Sequence, residues 1–244
     1  MSFSLLSYNV LWNKAYVQIE QIIKEEKPDI ICLQEIETAE SNLKKFENSR
    51  FRLADYTNSF IKFARIFGLA TFYNPEKFSF INSSAIKLPQ SLYEIFLIIL
   101  RGINPPRTAL KTDFLYKSQK KKISIYNLHL TALQATNTVR IKQLNEVLHE
   151  VKNGIKQSVI LAGDFNYPYG RKKFERLIRR YHLKEATNNL FYTLEYNFLN
   201  LFRYRAKTDY ILYKHIKLLE TKRIPIRNSD HFPILSKFDL KQLV

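Results

Sequence analysis

An α/β fold of two packed sheets with helices outside is predicted by three observations. Short apolar runs of strand character alternate with helical segments along the chain. The strands fall into two sets, each with helices between. Polar residues able to carry chemistry stand at strand ends, where α/β sheets bind their ligands.

Taken in order, Ser4–Val10 reads as a strand ending near Asn9. Tyr16–Glu26 has helical spacing, with Val17, Ile19, Ile22 and Ile23 apolar, and Pro28 stops it. Asp29–Leu33 is a second strand, and Glu35 follows it. Thr38–Asn48 reads as a polar surface helix. Phe67–Tyr73 and Phe78–Leu88 read as a pair of strands around Asn74-Pro75, and Leu92–Leu100 as a short apolar helix closed by Gly102 and Pro105-Pro106. Arg107–Leu115 alternates as a strand does. The basic turn Lys120–Lys122 leads into Ile123–Leu130, a strand carrying His129 near its end. Thr136–Val151 is an amphipathic helix, with Val139, Leu144, Val147 and Leu148 apolar. Lys172–Tyr181 is a basic helix. Lys207–Tyr213, Lys217–Ile224 and Pro233–Leu240 are strands, with Ser229-Asp230-His231 as a loop before the last.

The stretch Ser158–Tyr167 joins fold to chemistry. Val159–Ala162 reads as a buried central strand that stops at Gly163 and then presents Asp164 and Asn166 around Phe165. With Phe165 turned inward, the carboxylate and the amide face a cleft. The other reading is an Asx turn, in which both side chains cap their own backbone.

The totals bound the partners. The chain has 244 residues, 45% of them hydrophobic, which suffices for one continuous domain over 1–244 and argues against disorder. A net charge of +17 favours polyanionic partners, although a Lys-, Ile- and Asn-rich composition also follows from AT-rich coding. Cys32 is the one cysteine, so no internal disulfide can form and a reducing, cytoplasmic setting is expected. The start of the chain lacks the features of a signal peptide, and its longest apolar run, Ile95–Leu100, is far shorter than the roughly 20 residues a spanning helix needs. A monomer is expected.

The polar residues at strand ends are Asn9, Glu35, His129, Asp164, Asn166, Asp209, Asp230 and His231. Carboxylates and amides without zinc-type Cys/His spacing suit a hard cation, Mg²⁺ or Mn²⁺. In a basic chain such a site points to phosphoryl or phosphodiester chemistry.

The motifs Ser7-Tyr-Asn-Val10, Leu33-Gln-Glu-Ile36, Asn127-Leu-His-Leu130, Leu161-Ala-Gly-Asp-Phe-Asn166, Thr208-Asp-Tyr-Ile-Leu212 and Ser229-Asp-His-Phe-Pro233 follow one another in order. Together they resemble the endonuclease/exonuclease/phosphatase superfamily, with its deoxyribonuclease I-like fold. The resemblance implies a four-layer α/β/β/α sandwich of two packed mixed sheets with outer helices. It also implies Mg²⁺-dependent hydrolysis of phosphoesters by in-line water attack. Glu35 is then the principal metal ligand, with Asn9 and Asp230 supporting. Asp164 orients or deprotonates the water, and Asn166 holds that water or a phosphate oxygen. His231, held by Asp209, and His129 stabilise the developing charge. Arg107 precedes a strand, where it reaches a substrate phosphate or is merely solvated. His149, His182 and His215 match no motif and read as surface or structural.

Two substrate classes remain. Basic stretches interleaved with aromatics (Lys120–Lys122, Arg171–Phe174, Arg176 with Arg179-Arg180, Arg203-Tyr-Arg205) favour nucleic acid, and so a nuclease or end-processing enzyme. The apolar segment Tyr93–Leu100 suggests the alternative, a sphingomyelinase-like phospholipid or inositol-phosphate hydrolase at a membrane surface, unless it simply packs on the sheet.

Overall fold

Two strand pairs that run parallel set the architecture. The computed structural model describes residues 2–47, 50–62, 64–90, 95–96, 107–132, 136–153, 157–198, 202–226 and 228–240. In one sheet β1 (Ser2–Asn9) lies parallel to β2 (Ile30–Glu37), joined by helix α1 (Tyr16–Glu26). In the other, β7 (Lys121–His129) lies parallel to β8 (Ser158–Asp164), joined by a helix over Asn137–Asn153, here α3. Parallel neighbours need such a crossover, because a tight turn cannot return the chain to the same end.

Each pair is the centre of a six-stranded mixed sheet. The first adds β14 (Ile234–Asp239) and β13 (Lys217–Arg223) beside β1, and β4 (Arg65–Tyr73) and β3 (Arg52–Lys62) beside β2. The second adds β6 (Thr108–Tyr116) and β5 (Phe78–Lys87) beside β7, and β12 (Asp209–Lys214) and β9 (Lys184–Glu185) beside β8. A separate ribbon pairs β10 (Leu194–Phe198) with β11 (Phe202–Ala206).

Alternation sorts the side chains into layers. Leu5, Ile125, Ile160, Ala162 and Ile211 pack with Phe3, Phe114 and Phe238 between the sheets. Leu6, Tyr8, Ile31 and Leu33 face outward and are covered by Ile19 and Ile22 of α1. Leu128, Leu161 and Leu212 face the opposite outside, under Leu144, Val147 and Leu148 of α3 and under Phe174 of α4 (Arg171–Arg180). The result is the four-layer α/β/β/α sandwich. Among the described residues no helix is long and apolar enough to cross a membrane. Cys32 lies wholly between the sheets, where burial pushes its thiol up to about 12.

Several expectations change. α1 ends as predicted, at Lys27 with φ 46°, followed by Pro28, but Val17 is exposed. The helix expected over Thr38–Asn48 shrinks to α2 (Glu40–Leu43) and a 3₁₀ turn, Lys44–Phe46. The strands on either side of Asn74-Pro75 do not pair: β4 joins the first sheet and β5 the second, and this stretch is the crossing between them. β3, β9 and the β10–β11 ribbon were not foreseen. The helix expected over 92–100 lies outside the described residues except at 95–96.

A buried ion cluster ties the second sheet to α4. Glu185 on β9 meets Arg171 at 2.5 Å and Lys207, two residues before Asp209, at 2.6 Å. Burial opposes the charge on Glu185, but the two cations outweigh it and hold its carboxyl below the usual range. A depressed carboxylate contributes stability above its unfolded pKa, and this is lost as pH falls through the folded one. Glu185→Gln is therefore expected to lose about 3 kcal/mol at neutral pH. The deficit should shrink in acid-unfolding midpoints measured below about pH 4.

Candidate active site

The site is the last layer of the inter-sheet core, made polar. Strand alternation puts Asn9 on the inner face with Leu5, His129 with Ile125, Asp164 with Ile160 and Ala162, and Asp209 with Ile211. All four are at most 3% exposed. Glu35 is the exception, because strict alternation would send it outward with Leu33. A bulge between Gln34 and Ile36, with Glu35 at φ 55°, turns its carboxylate to the mouth instead. Asn166, at φ 48°, is likewise left-handed, as Asn tolerates.

One amide joins the two sheets at this mouth. Asn9 Nδ2 donates to Glu35 Oε1 at 3.2 Å and to Asp164 Oδ2 at 3.2 Å, while its Oδ1 accepts from Leu11 N at 3.1 Å. His129 Nε2 sits 3.6 Å from Glu35 Oε1 and 3.8 Å from Asp164 Oδ2. β12 runs antiparallel to β8 with Asp209 opposite Asp164. Asp209 Oδ2 accepts from Thr193 Oγ1 at 2.7 Å, Thr208 Oγ1 at 2.9 Å and His231 Nδ1 at 2.9 Å. The far nitrogen of His231 then faces Asp164 Oδ2 at 3.6 Å and Asp230 Oδ1 at 3.9 Å.

The Asp164-Phe-Asn166 stretch does both things its sequence allowed. Asn166 N donates to Asp164 Oδ1 at 2.8 Å, an Asx turn. Phe165 is fully buried, Asp164 Oδ2 stays at the mouth, and Asn166 Nδ2 reaches it at 3.0 Å. Gly163, at φ 146°, is needed here: a Cβ on it would lie 1.9 Å from Leu128 O. That close approach sets His129 beside Asp164.

Two supports brace the mouth, one from Gln34 and Asn127 inside the quoted motifs and one from α3. Below the mouth Gln34 Nε2 donates to Asn127 Oδ1 at 2.8 Å, and Asn127 Nδ2 donates to Leu33 O at 3.1 Å and Ala70 O at 3.0 Å. Both amides are fully buried and clamp sheet to sheet. After His129, Gln143 and Arg140 of α3 hold the chain. Thr131 N donates to Gln143 Oε1 at 3.0 Å, and Arg140 Nε donates to Thr131 O at 2.8 Å. The signal for these clamps was a buried polar residue on an inward position of a strand or helix.

The two histidines are driven to opposite charge states. Burial works against the His231 imidazolium, but Asp209 and then Asp164 outweigh it and raise it to about 10. Burial, Arg107 and His231 together push His129 well below its ordinary 6.5. Burial raises Asp164 to about 7, against the pull of His231. Glu35 is also raised by burial, with His231 and Asn9 opposing. Arg107 stands near enough for its charge to bear on both Glu35 and His129. His149, His182 and His215 are exposed.

The donor set fits a divalent cation at Glu35. Its Oε2 is buried with no hydrogen-bond donor among the described residues, a costly arrangement unless a cation faces it. Asp164, Asp209 and His231 also bring donor atoms within 4.8 Å of one another. There, however, Asp209 is already taken by two hydroxyls and the imidazole. Oxygen donors at the mouth suit Mg²⁺ or Mn²⁺.

A four-layer sandwich with carboxylates and histidines gathered where its two sheets open defines the deoxyribonuclease I-like class. The profile of the Endonuclease/Exonuclease/phosphatase family matches residues 6–231, and the chain belongs to that family. Its members hydrolyse phosphoester bonds and depend on divalent metals. The chain is 25% identical over 222 residues to the CCR4-Not complex 3'-5'-exoribonuclease subunit Ccr4 of Candida albicans, covering 68% of this chain and 27% of that relative. It therefore spans about a quarter of that relative's length. Among solved structures, the human Nocturnin catalytic domain with bound sulfate superposes with a TM-score of 0.75 at 20% identity, over 98% of this chain and 94% of that one. TDP2 of D. rerio, complexed with single strand DNA product, gives 0.72 at 18%, over 98% and 99%. At these identities the structures speak for the fold.

In metal-free protein, nitrogen-detected NMR of the imidazoles is expected to show His231 doubly protonated at pH 8 and His129 neutral. Asp209→Asn removes the largest charge that raises His231, so its titration should move to lower pH. An unmoved His231 would contradict the pairing.

Proposed function

We propose that the protein is a divalent-metal-dependent phosphodiesterase, most directly a nuclease or nucleic-acid end-processing enzyme, that cleaves the P–O bond by in-line attack of water. The observation that carries this reading is the convergence of Asn9, His129 and His231 within 3.8 Å of Asp164 Oδ2, with Glu35 against Asn9 and His129, at one mouth. Glu35 would hold Mg²⁺ or Mn²⁺ through Oε2, with Asn9 fixing the carboxylate through Oε1 and Asp230 flanking. Once bound, the ion supplies a positive charge that neutralises a phosphate oxygen. Asp164 Oδ2 orients the water and takes its proton, matching its rise to about 7. Asn166 steadies Asp164 and the water. His231, charged and held by Asp209, donates to a non-bridging oxygen. Neutral His129 donates one hydrogen bond from the other side, and Arg107 neutralises a neighbouring phosphate.

The net charge of +17, the family membership and the Ccr4 likeness support nucleic acid. The phospholipid or inositol-phosphate alternative rests on segment 93–100, of which residues 95–96 are described, and both Ile95 and Phe96 are exposed apolar side chains.

Purified protein should hydrolyse bis(p-nitrophenyl) phosphate and single-stranded oligonucleotides in Mg²⁺ or Mn²⁺, and EDTA should abolish both activities. Glu35→Gln, Asp164→Asn and His231→Gln are each expected to lower kcat by about 10²–10³-fold or more. Glu35→Gln and Asp164→Asn should melt near or above the parent, since each relieves a carboxyl that burial disfavours, whereas His231→Gln should melt lower, because it leaves the buried Asp209 carboxylate without its counter-ion. Turnover confined to phospholipid vesicles or inositol phosphates would replace the nucleic-acid reading. Near-full activity in all three variants would overturn the mechanism.

A further inference from the structure

We propose that the β10–β11 ribbon is a stacking platform for the single strand whose phosphate enters the active site, an inference that rests on the nucleic-acid reading above. Its register sorts the ribbon into two faces. Tyr196 pairs with Tyr204 and Leu194 with Ala206, while Glu195 pairs with Arg205 and Asn197 with Arg203. Directly paired residues share a face. One face therefore carries Tyr196, Tyr204 and Phe202, and the other carries Arg203 and Arg205. The aromatics stand out into solvent: Tyr196 is 49% exposed, Tyr204 50% and Phe202 73%. A two-stranded ribbon has no core of its own and gains nothing from rings held in water.

The ribbon is rooted in the catalytic layer rather than hung beside it. Thr193, just before β10, donates to Asp209 Oδ2 at 2.7 Å. Leu194 forms a β-bridge with His231, and Glu195 N donates to Asp230 O at 2.8 Å. At about 3.4 Å per residue, Tyr196 lies only about 7 Å along the strand from the residue bridged to His231. The root is stiff. Tyr192 packs against two guanidiniums, with Arg205 Cζ 4.5 Å and Arg223 Cζ 4.0 Å from its ring centroid. Arg223 also lies over Phe232, 4.3 Å away, next to His231. Glu195 holds Arg205 at 2.7 Å.

Three exposed rings on one face match a run of bases, in a chain whose net charge of +17 suits the phosphates between them. Every base offers a face to stack on, and the phosphates meet the positive charge.

The test compares the parent with the combined variant Tyr196→Ser, Phe202→Ser and Tyr204→Ser. Binding of a fluorescent oligothymidylate is measured by anisotropy in EDTA. The ratio of kcat/KM for the oligonucleotide to that for bis(p-nitrophenyl) phosphate is measured in Mg²⁺. The variant should bind at least about tenfold more weakly, and the ratio should fall by a similar factor through KM. The pair Tyr196→Phe with Tyr204→Phe keeps the rings and should keep parental affinity. Equal binding and an equal ratio in the Ser variant would overturn the platform while leaving the nuclease reading intact. A parent that splits bis(p-nitrophenyl) phosphate but neither binds nor cuts oligonucleotides would overturn both.

Discussion

The structure depends on one constraint: the inner faces of two opposed sheets must stay in register where they turn from apolar to polar. Inward positions carry Leu5, Ile125, Ile160 and Ile211, and further along the same strands they carry Asn9, His129, Asp164 and Asp209. Burying those groups is unfavourable unless each finds a partner. The partners lie in the opposite sheet or on a neighbouring strand, so a slip of one residue would turn the whole set outward. Gln34 and Asn127 guard against such a slip. Their mutual bond and the bonds of Asn127 to two carbonyls of the other sheet fit only one register.

The same crowding produces the chemistry. Glu35, Asp164 and Asp209 share a dry mouth with two imidazoles, and their charges cannot all be expressed freely. The conflict resolves as a row, Asp209 to His231 to Asp164, in which the outer carboxylate is saturated with donors and holds the ring. The inner carboxylate accepts from Asn9 and Asn166, and burial raises it to about 7, a value suited to moving a proton near neutrality. Glu35 stays one donor short at Oε2 and needs a left-handed residue and a bulge to reach its place. Strain of this kind persists where the surroundings over-determine it, which is typical of functional sites.

Much of this was legible in the chain. Three of the four central strands end on the polar residue that the structure brings to the mouth, Asn9, His129 and Asp164, and the fourth carries Glu35 just past its apolar run. The motif order carried the four-layer sandwich, and the family match covers the same stretch. What stayed hidden is non-local or lies at edges. β3 and the ribbon are half-exposed, so no apolar run marks them. The split of β4 and β5 between sheets is a choice of partner, which alternation does not encode. The turning of Glu35 needs a bulge that its neighbours' types do not announce. Thr193, which buttresses Asp209, lies outside every motif and joins the site only because the ribbon folds back on His231. Asp164 showed the limit most plainly, since the turn reading and the site reading were both true of one carboxylate, with one oxygen for each.

The proposed mechanism divides the labour: the cation would belong to Glu35, and the Asp209–His231 pair would handle hydrogen bonds and charge. Crystals soaked in Mn²⁺ and measured at the manganese absorption edge test it directly. The expected result is one strong anomalous peak against Glu35 Oε2, with His231 Nδ1 still bonded to Asp209. A peak between Asp164, Asp209 and His231, with none at Glu35, would contradict the account.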